Sequence, residues 1–141
     1  MVAKRVWWLL SVIVLLTLGM GDMGLTGSEI PLWPSRNFTG TVTDRTLVSL
    51  QVTNINCEGK TTIKAYLGEI QIQVPFENLL SVEFSPGEAN RVWGNVQLRN
   101  NTIQKMRFLG STRCYAKSEL GPLMVKIQNL KSIKFDSPPP P

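Results

Sequence analysis

The chain contains no histidine. That absence removes the commonest general base and the commonest metal ligand, every Ser-His-Asp or Cys-His arrangement, and haem attachment at a Cys-x-x-Cys-His step. Cysteine is nearly as scarce: Cys57 and Cys114 are the only two, and two cannot supply a four-thiolate zinc site. The acids are dispersed, and no two stand at a spacing that forces carboxylates together as glycoside hydrolysis requires. Glycines occur singly, so no loop is built to cradle phosphates. Basic residues outnumber acidic ones by 5, but they form no run and leave no nucleic-acid footprint. The expectation is a protein that is not an enzyme, with no catalytic group, no cofactor, no metal and no nucleic-acid partner.

A long apolar run is also missing. Val6 to Leu18 is apolar except for Ser11 and Thr17, follows Lys4 and Arg5, and leads into Gly19, Gly21 and Gly24. A comfortable membrane span needs roughly 20 apolar residues. The pattern of basic start, short apolar stretch and small-residue exit predicts a signal peptide over residues 1–21, cut after Gly21. The competing reading is an uncleaved anchor over residues 6–20, with Trp7 and Trp8 at the interface. Both predict export, to a periplasmic or extracellular setting. Cleavage would take two cations and no acid away, lowering the formal charge from +5 to +3. In such a compartment Cys57 and Cys114 are expected to form one disulfide, the alternative being two unpaired thiols. A bridge would close a loop of about 58 residues and contribute on the order of 4 kcal/mol by the chain-entropy argument.

Residues 22–39 read as a linker, with scattered Gly, Ser and Pro and no periodicity. From Gly40 the period becomes two. Ile70, Ile72, Val74 and Phe76 alternate with Gln71, Gln73 and Pro75, the signature of a half-buried strand, and Pro75 places that strand at an edge. No window of helical length outside the leader carries a helical stripe. Asn78-Leu79-Leu80-Ser81-Val82-Glu83-Phe84 returns 51 residues later as Asn129-Leu130-Lys131-Ser132-Ile133-Lys134-Phe135. Leu67-Gly68 and Leu120-Gly121 suggest that the echo extends further, with a two-residue slip. Such self-similarity means one unit used twice, neither copy able to bury its apolar face alone. The expected fold is all-β, a small β-sandwich or barrel of two related antiparallel units at about 46–84 and 94–135. It would occupy one domain over residues 40–136, followed by a proline tail at 137–141.

Gly110-Ser111-Thr112, the turn at Gly121, and Val125-Lys126-Ile127-Gln128-Asn129-Leu130-Lys131-Ser132-Ile133-Lys134-Phe135 resemble a pattern in small exported bacterial β proteins. There a Gly-x-Thr step and a second glycine turn precede a run of the form I-x-I-x-x-L-x-x-I-x-F. The resemblance implies a compact sandwich or small barrel and implies no activity.

The remaining candidates are surface residues. Trp33, Trp93, Arg99 and Tyr115 lie outside the apolar alternation and are the candidate binding face, Trp and Tyr being able to stack on a sugar or anchor a partner. Lys126, Lys131 and Lys134 with Arg107 and Arg113 would make a basic face if strands 105–109 and 123–127 lay side by side; the competing reading is a solvated face that guards an edge. The function expected is a non-catalytic exported binding or envelope-assembly module acting on another envelope or extracellular protein. A carbohydrate- or lipid-binding β module is the alternative, for polysaccharide or lipid ligands, and a thiol enzyme using Cys57 is the more remote one.

Overall fold

The computed structural model describes residues 33–140. The leader or anchor at 1–21, and the linker up to residue 32, lie outside the described residues. The rest is all-β. Ten strands run β1 Gly40–Asp44, β2 Ser49–Cys57, β3 Thr62–Leu67, β4 Ile70–Pro75, β5 Leu79–Pro86, β6 Arg91–Leu98, β7 Ile103–Leu109, β8 Arg113–Ser118, β9 Gly121–Lys126 and β10 Leu130–Phe135. Short 3-10 turns at Phe76–Asn78 and Ile127–Asn129 lead into β5 and β10. All neighbours pair antiparallel in one sheet ordered β4-β3-β7-β6-β5-β10-β1-β2-β8-β9, curled into a half-barrel with β4 and β9 at its free edges.

That order contains a two-fold relation. Exchanging β1–β5 for β6–β10 reverses the strand order onto itself. The axis passes through the β5–β10 pair, where Val82 stands directly opposite its counterpart Ile133, both fully buried. A shift of 51 residues carries β3, β4, the first 3-10 turn and the start of β5 onto β8, β9, the second turn and β10. Hydrogen bonding follows the same shift: Phe76 donates its N–H to Thr61 O as Ile127 does to Thr112 O. The hairpins β1–β2 and β6–β7 are related by 54 residues. Leu47 and Asn101, at φ 70° and 68°, close them with bonds to Asp44 O and Leu98 O.

The unit is therefore five strands long, and it includes β1, which precedes the stretch in which sequence shows the echo. The two Leu-Gly steps are not equivalent: Leu67 corresponds to Ser118, and Ile70 to Gly121. The offset drifts because β2 carries a bulge between Thr53 and Asn56, with Asn54 at φ 53°, and because the turn after Cys57 is the longer one.

Period-two alternation sends one set of side chains inward on every strand. Phe76 stacks between Phe38 at 5.6 Å and Phe135 at 4.8 Å, while Phe84 meets Phe108 edge-on at 5.2 Å in the other half. Each fully buried side chain of this size contributes roughly 1.5–3 kcal/mol. Glycines occupy both strands that flank the central pair. A Cβ on Gly40 would lie 2.0 Å from Lys134 O, and one on Gly94 would lie 2.5 Å from the Phe108 ring. Cys57 and Cys114 are cross-strand partners on β2 and β8 and are joined by a disulfide. β7 lies between β6 and β3, and β9 is an edge beside β8, so Arg107 and Lys126 do not share a basic face of adjacent strands.

Candidate binding face

Trp93 points outward from the middle of β6 and is 41% exposed. Its cross-strand partners are Ser85 on β5 and Arg107 on β7. Arg107 is in turn the partner of Tyr66 on β3. Alternation puts these side chains on one face, and cations cover both rings: Lys105 Nζ lies 4.9 Å from the Trp93 ring, and Arg107 Cζ lies 5.0 Å from the Tyr66 ring. Such contacts are worth about 0.5–1 kcal/mol at exposed sites. Arg91 and Lys64 extend the positive row along β6 and β3. Among the described residues the one ion pair is Arg36–Glu77 at 2.8 Å, so none of the four cations here is matched by a carboxylate. The face offers flat aromatic area, positive charge and no acid–base pair.

The other singled-out residues fall elsewhere. Arg99 sits in the β6–β7 turn, gives its N–H to Asn78 O and a guanidinium N–H to Asp136 O. Its counterpart Arg45 does the same to Asn129 O and, at 2.7 Å, to Gln128 O. Both arginines clip a hairpin to a 3-10 turn or strand end, which is a structural duty. Tyr115 lies on β8 opposite Asn56 and Met124. Trp33 is half-buried beneath Lys117, whose Nζ is 4.8 Å from the ring. Trp33, Lys117 and Tyr115 thus belong to the β8 half and Trp93 to the β6 half, with β5, β10, β1 and β2 between β6 and β8 in the sheet.

Cys57 and Cys114 are buried and bonded, and the turn that follows Cys57 is braced by Glu58, which accepts the Arg113 N–H at 2.9 Å. Neither sulfur is a thiolate in this state. Among the described residues no three Cys, Asp or Glu side chains converge on a point that would hold a metal ion. Lys105, Arg107 and Tyr66 are the residues that sequence reasoning did not join to Trp93. The signal available was the shared parity of Arg91 with Trp93 and of Lys105 with Arg107; the strand pairing that brings in Tyr66 is non-local.

Fold and face together define a duplicated, disulfide-tied β protein that presents a cationic and aromatic surface. The chain belongs to a family described as "Uncharacterised protein", which it matches over residues 34–137. No curated protein and no solved structure matches it.

Proposed function

We propose that this protein is a non-catalytic binding module of an oxidising, exported compartment, and that it docks an acidic surface of an envelope or extracellular protein against the outer face of β3, β7 and β6. The observation that carries the reading is the row Lys105–Trp93–Arg107–Tyr66, an exposed Trp and a half-buried Tyr overlaid by cations that form no ion pair among the described residues. Interface cores favour Trp, Tyr and Arg because these combine large contact area with directional polar groups. Surplus positive charge steers an acidic partner and sets the register of docking. The buried disulfide agrees with an oxidising compartment.

A photo-crosslinking amino acid placed at residue 93, and another at residue 51, test the reading in cells. Gln51 is the counterpart of Lys105 in the other copy and carries no aromatic neighbour of this kind. A single adduct of defined mass from position 93, absent at 51 and abolished by Arg107→Glu in the same chain, is the expected result. Adducts of equal yield at both positions, or none at 93, would sink the proposal.

A further inference from the structure

We propose that the outer face of the sheet carries a second binding site, a trough over β1, β10 and β5 that takes an anionic polysaccharide, specifically a chain bearing carboxylated sugars. The trough encloses about 650 Å3 and reaches from Ser49 on β2 to Asn95 on β6. Those five adjacent strands span roughly 19 Å at the usual strand spacing, a length suited to an extended chain and not to one ring.

Its lining has the chemistry of sugar recognition. Thr41, Thr43, Ser49 and Ser132 offer hydroxyls that both donate and accept, and Asn95 adds an amide. Thr43 and Ser49 are already bonded to each other at 2.8 Å, which holds the two hydroxyls together in the lining. Charge is unevenly placed. Lys131 and Lys134 stand on β10, while Glu83 stands on β5 opposite Ser132. An acidic sugar group therefore belongs on the β10 and β1 side, where two ammonium groups face it. On the β5 side Glu83 repels an anion and accepts from a sugar hydroxyl. The trough holds no exposed aromatic on which a nucleobase would stack, which disfavours nucleic acid.

The duplication supplies an internal control. Under the two-fold relation Lys131, Lys134 and Ser49 correspond to Leu80, Glu83 and Ile103. The counterpart backbone positions carry an apolar or a negative side chain, so the fold does not require the two lysines or the hydroxyl, which leaves them free to serve a ligand.

The test uses the full chain in mild detergent and measures binding to polygalacturonate, dextran sulfate and neutral dextran, each at low and at high salt. Polygalacturonate is expected to bind and neutral dextran not. The pair Lys131→Ala and Lys134→Ala should weaken polygalacturonate binding at least tenfold, with an unchanged melting temperature because both side chains are exposed. Lys134→Arg should retain most of it, and Trp93→Ala should leave it unaltered. Failure of polygalacturonate to bind overturns the proposal. So does tighter binding to dextran sulfate that salt abolishes, which would mark simple ion exchange. Equal loss in Trp93→Ala would assign the effect to the β6 face, refuting the trough while leaving the proposed protein-docking face standing.

Discussion

The outermost two junctions between the copies, β7–β3 and β2–β8, lie on either side of the central β5–β10 pair and are built differently on the same backbone plan. At the β2–β8 junction Thr53, Asn56 and Cys57 pair with Lys117, Tyr115 and Cys114, and a covalent bond closes the end. At the β7–β3 junction Arg107 pairs with Tyr66, the counterpart of the Thr53–Lys117 pair, and Ile63 stands where the other junction has Cys114. One side is held by a bridge that restricts the unfolded chain, and the other by a guanidinium lying on a phenol ring. The side without the bridge is also the one that presents Trp93 and its cations. On the proposed function, the duplicated fold separates two tasks that a single copy would have to combine: one junction carries the covalent tie, and the other carries the cationic and aromatic groups offered to a partner.

The largest break in this comparison comes from the bridge itself. Replacing Cys57 and Cys114 together by Ala should lower the unfolding free energy by about 2–4 kcal/mol. Hydrogen exchange should then show β8 and β9 opening before β3 and β4. Equal protection of the two edges after the substitution would mean that the junctions do not differ in the way proposed.

The counterpart glycines give the next largest effect. Gly40→Ala drives a methyl into the backbone carbonyl of Lys134, 2.0 Å away between paired strands, whereas Gly94→Ala meets the Phe108 ring at 2.5 Å. A ring yields more easily than a hydrogen-bonded backbone. Overpacking penalties of about 3 kcal/mol for Gly40→Ala and about 1–2 kcal/mol for Gly94→Ala are expected from denaturant melts. The reverse ranking would show that the β1–β10 contact is the softer one.

These contrasts also explain what the sequence made legible. The seven-residue echo is visible because Leu79, Val82 and Phe84 and their counterparts Leu130, Ile133 and Phe135 are core residues packed about the axis, so both copies face the same restriction. The β1–β2 and β6–β7 hairpins repeat equally well in hydrogen bonding and keep inward counterparts such as Gly40 with Gly94 and Val42 with Val96, yet their outward side chains have diverged. The bulge in β2 and the longer turn after Cys57 then change the spacing from 54 to 51 residues, which hides the alignment. Leu120-Gly121 looked like Leu67-Gly68 through composition alone. Trp93 was visible because it breaks the apolar alternation. Tyr66 was not, because only pairing across β7 brings it near. Arg99 stood out as an exposed-looking cation, and the structure spends its guanidinium on Asp136 O.

A smaller effect sharpens the hairpin comparison. Leu47 holds φ 70° while 65% exposed, and its counterpart Asn101 holds φ 68°. Left-handed backbone costs an ordinary side chain energy that Asn largely avoids. Leu47→Asn should therefore stabilise the protein by about 0.5–1 kcal/mol, and Asn101→Leu should destabilise it by a similar amount. Calorimetric melting of the two single variants checks the pair; shifts of the same sign would refute the equivalence of the two turns.

The last difference is chemical. In the first hairpin Asp44 accepts N–H groups of Val48 and Thr46, each at 2.9 Å, and the Thr46 hydroxyl at 2.8 Å. The Val48 N–H, then the Thr46 hydroxyl, hold its carboxyl below the ordinary carboxylate value. In the second hairpin the counterpart is Leu98, and the turn is capped by Asn100, whose side-chain oxygen accepts the Thr102 N–H at 3.0 Å. A depressed folded-state pKa means that the stabilisation is complete above the unfolded value, ~3.9 for Asp, and is lost as pH falls through the folded one. Acid titration should therefore loosen the Val48 and Thr46 amides first, while Thr102 stays protected, and Asp44→Asn should remove that selective response. Amide exchange followed between pH 5 and pH 2 reads both hairpins in one sample. Simultaneous loss at Val48 and Thr102 would mean that Asp44 has no separate part in closing its turn.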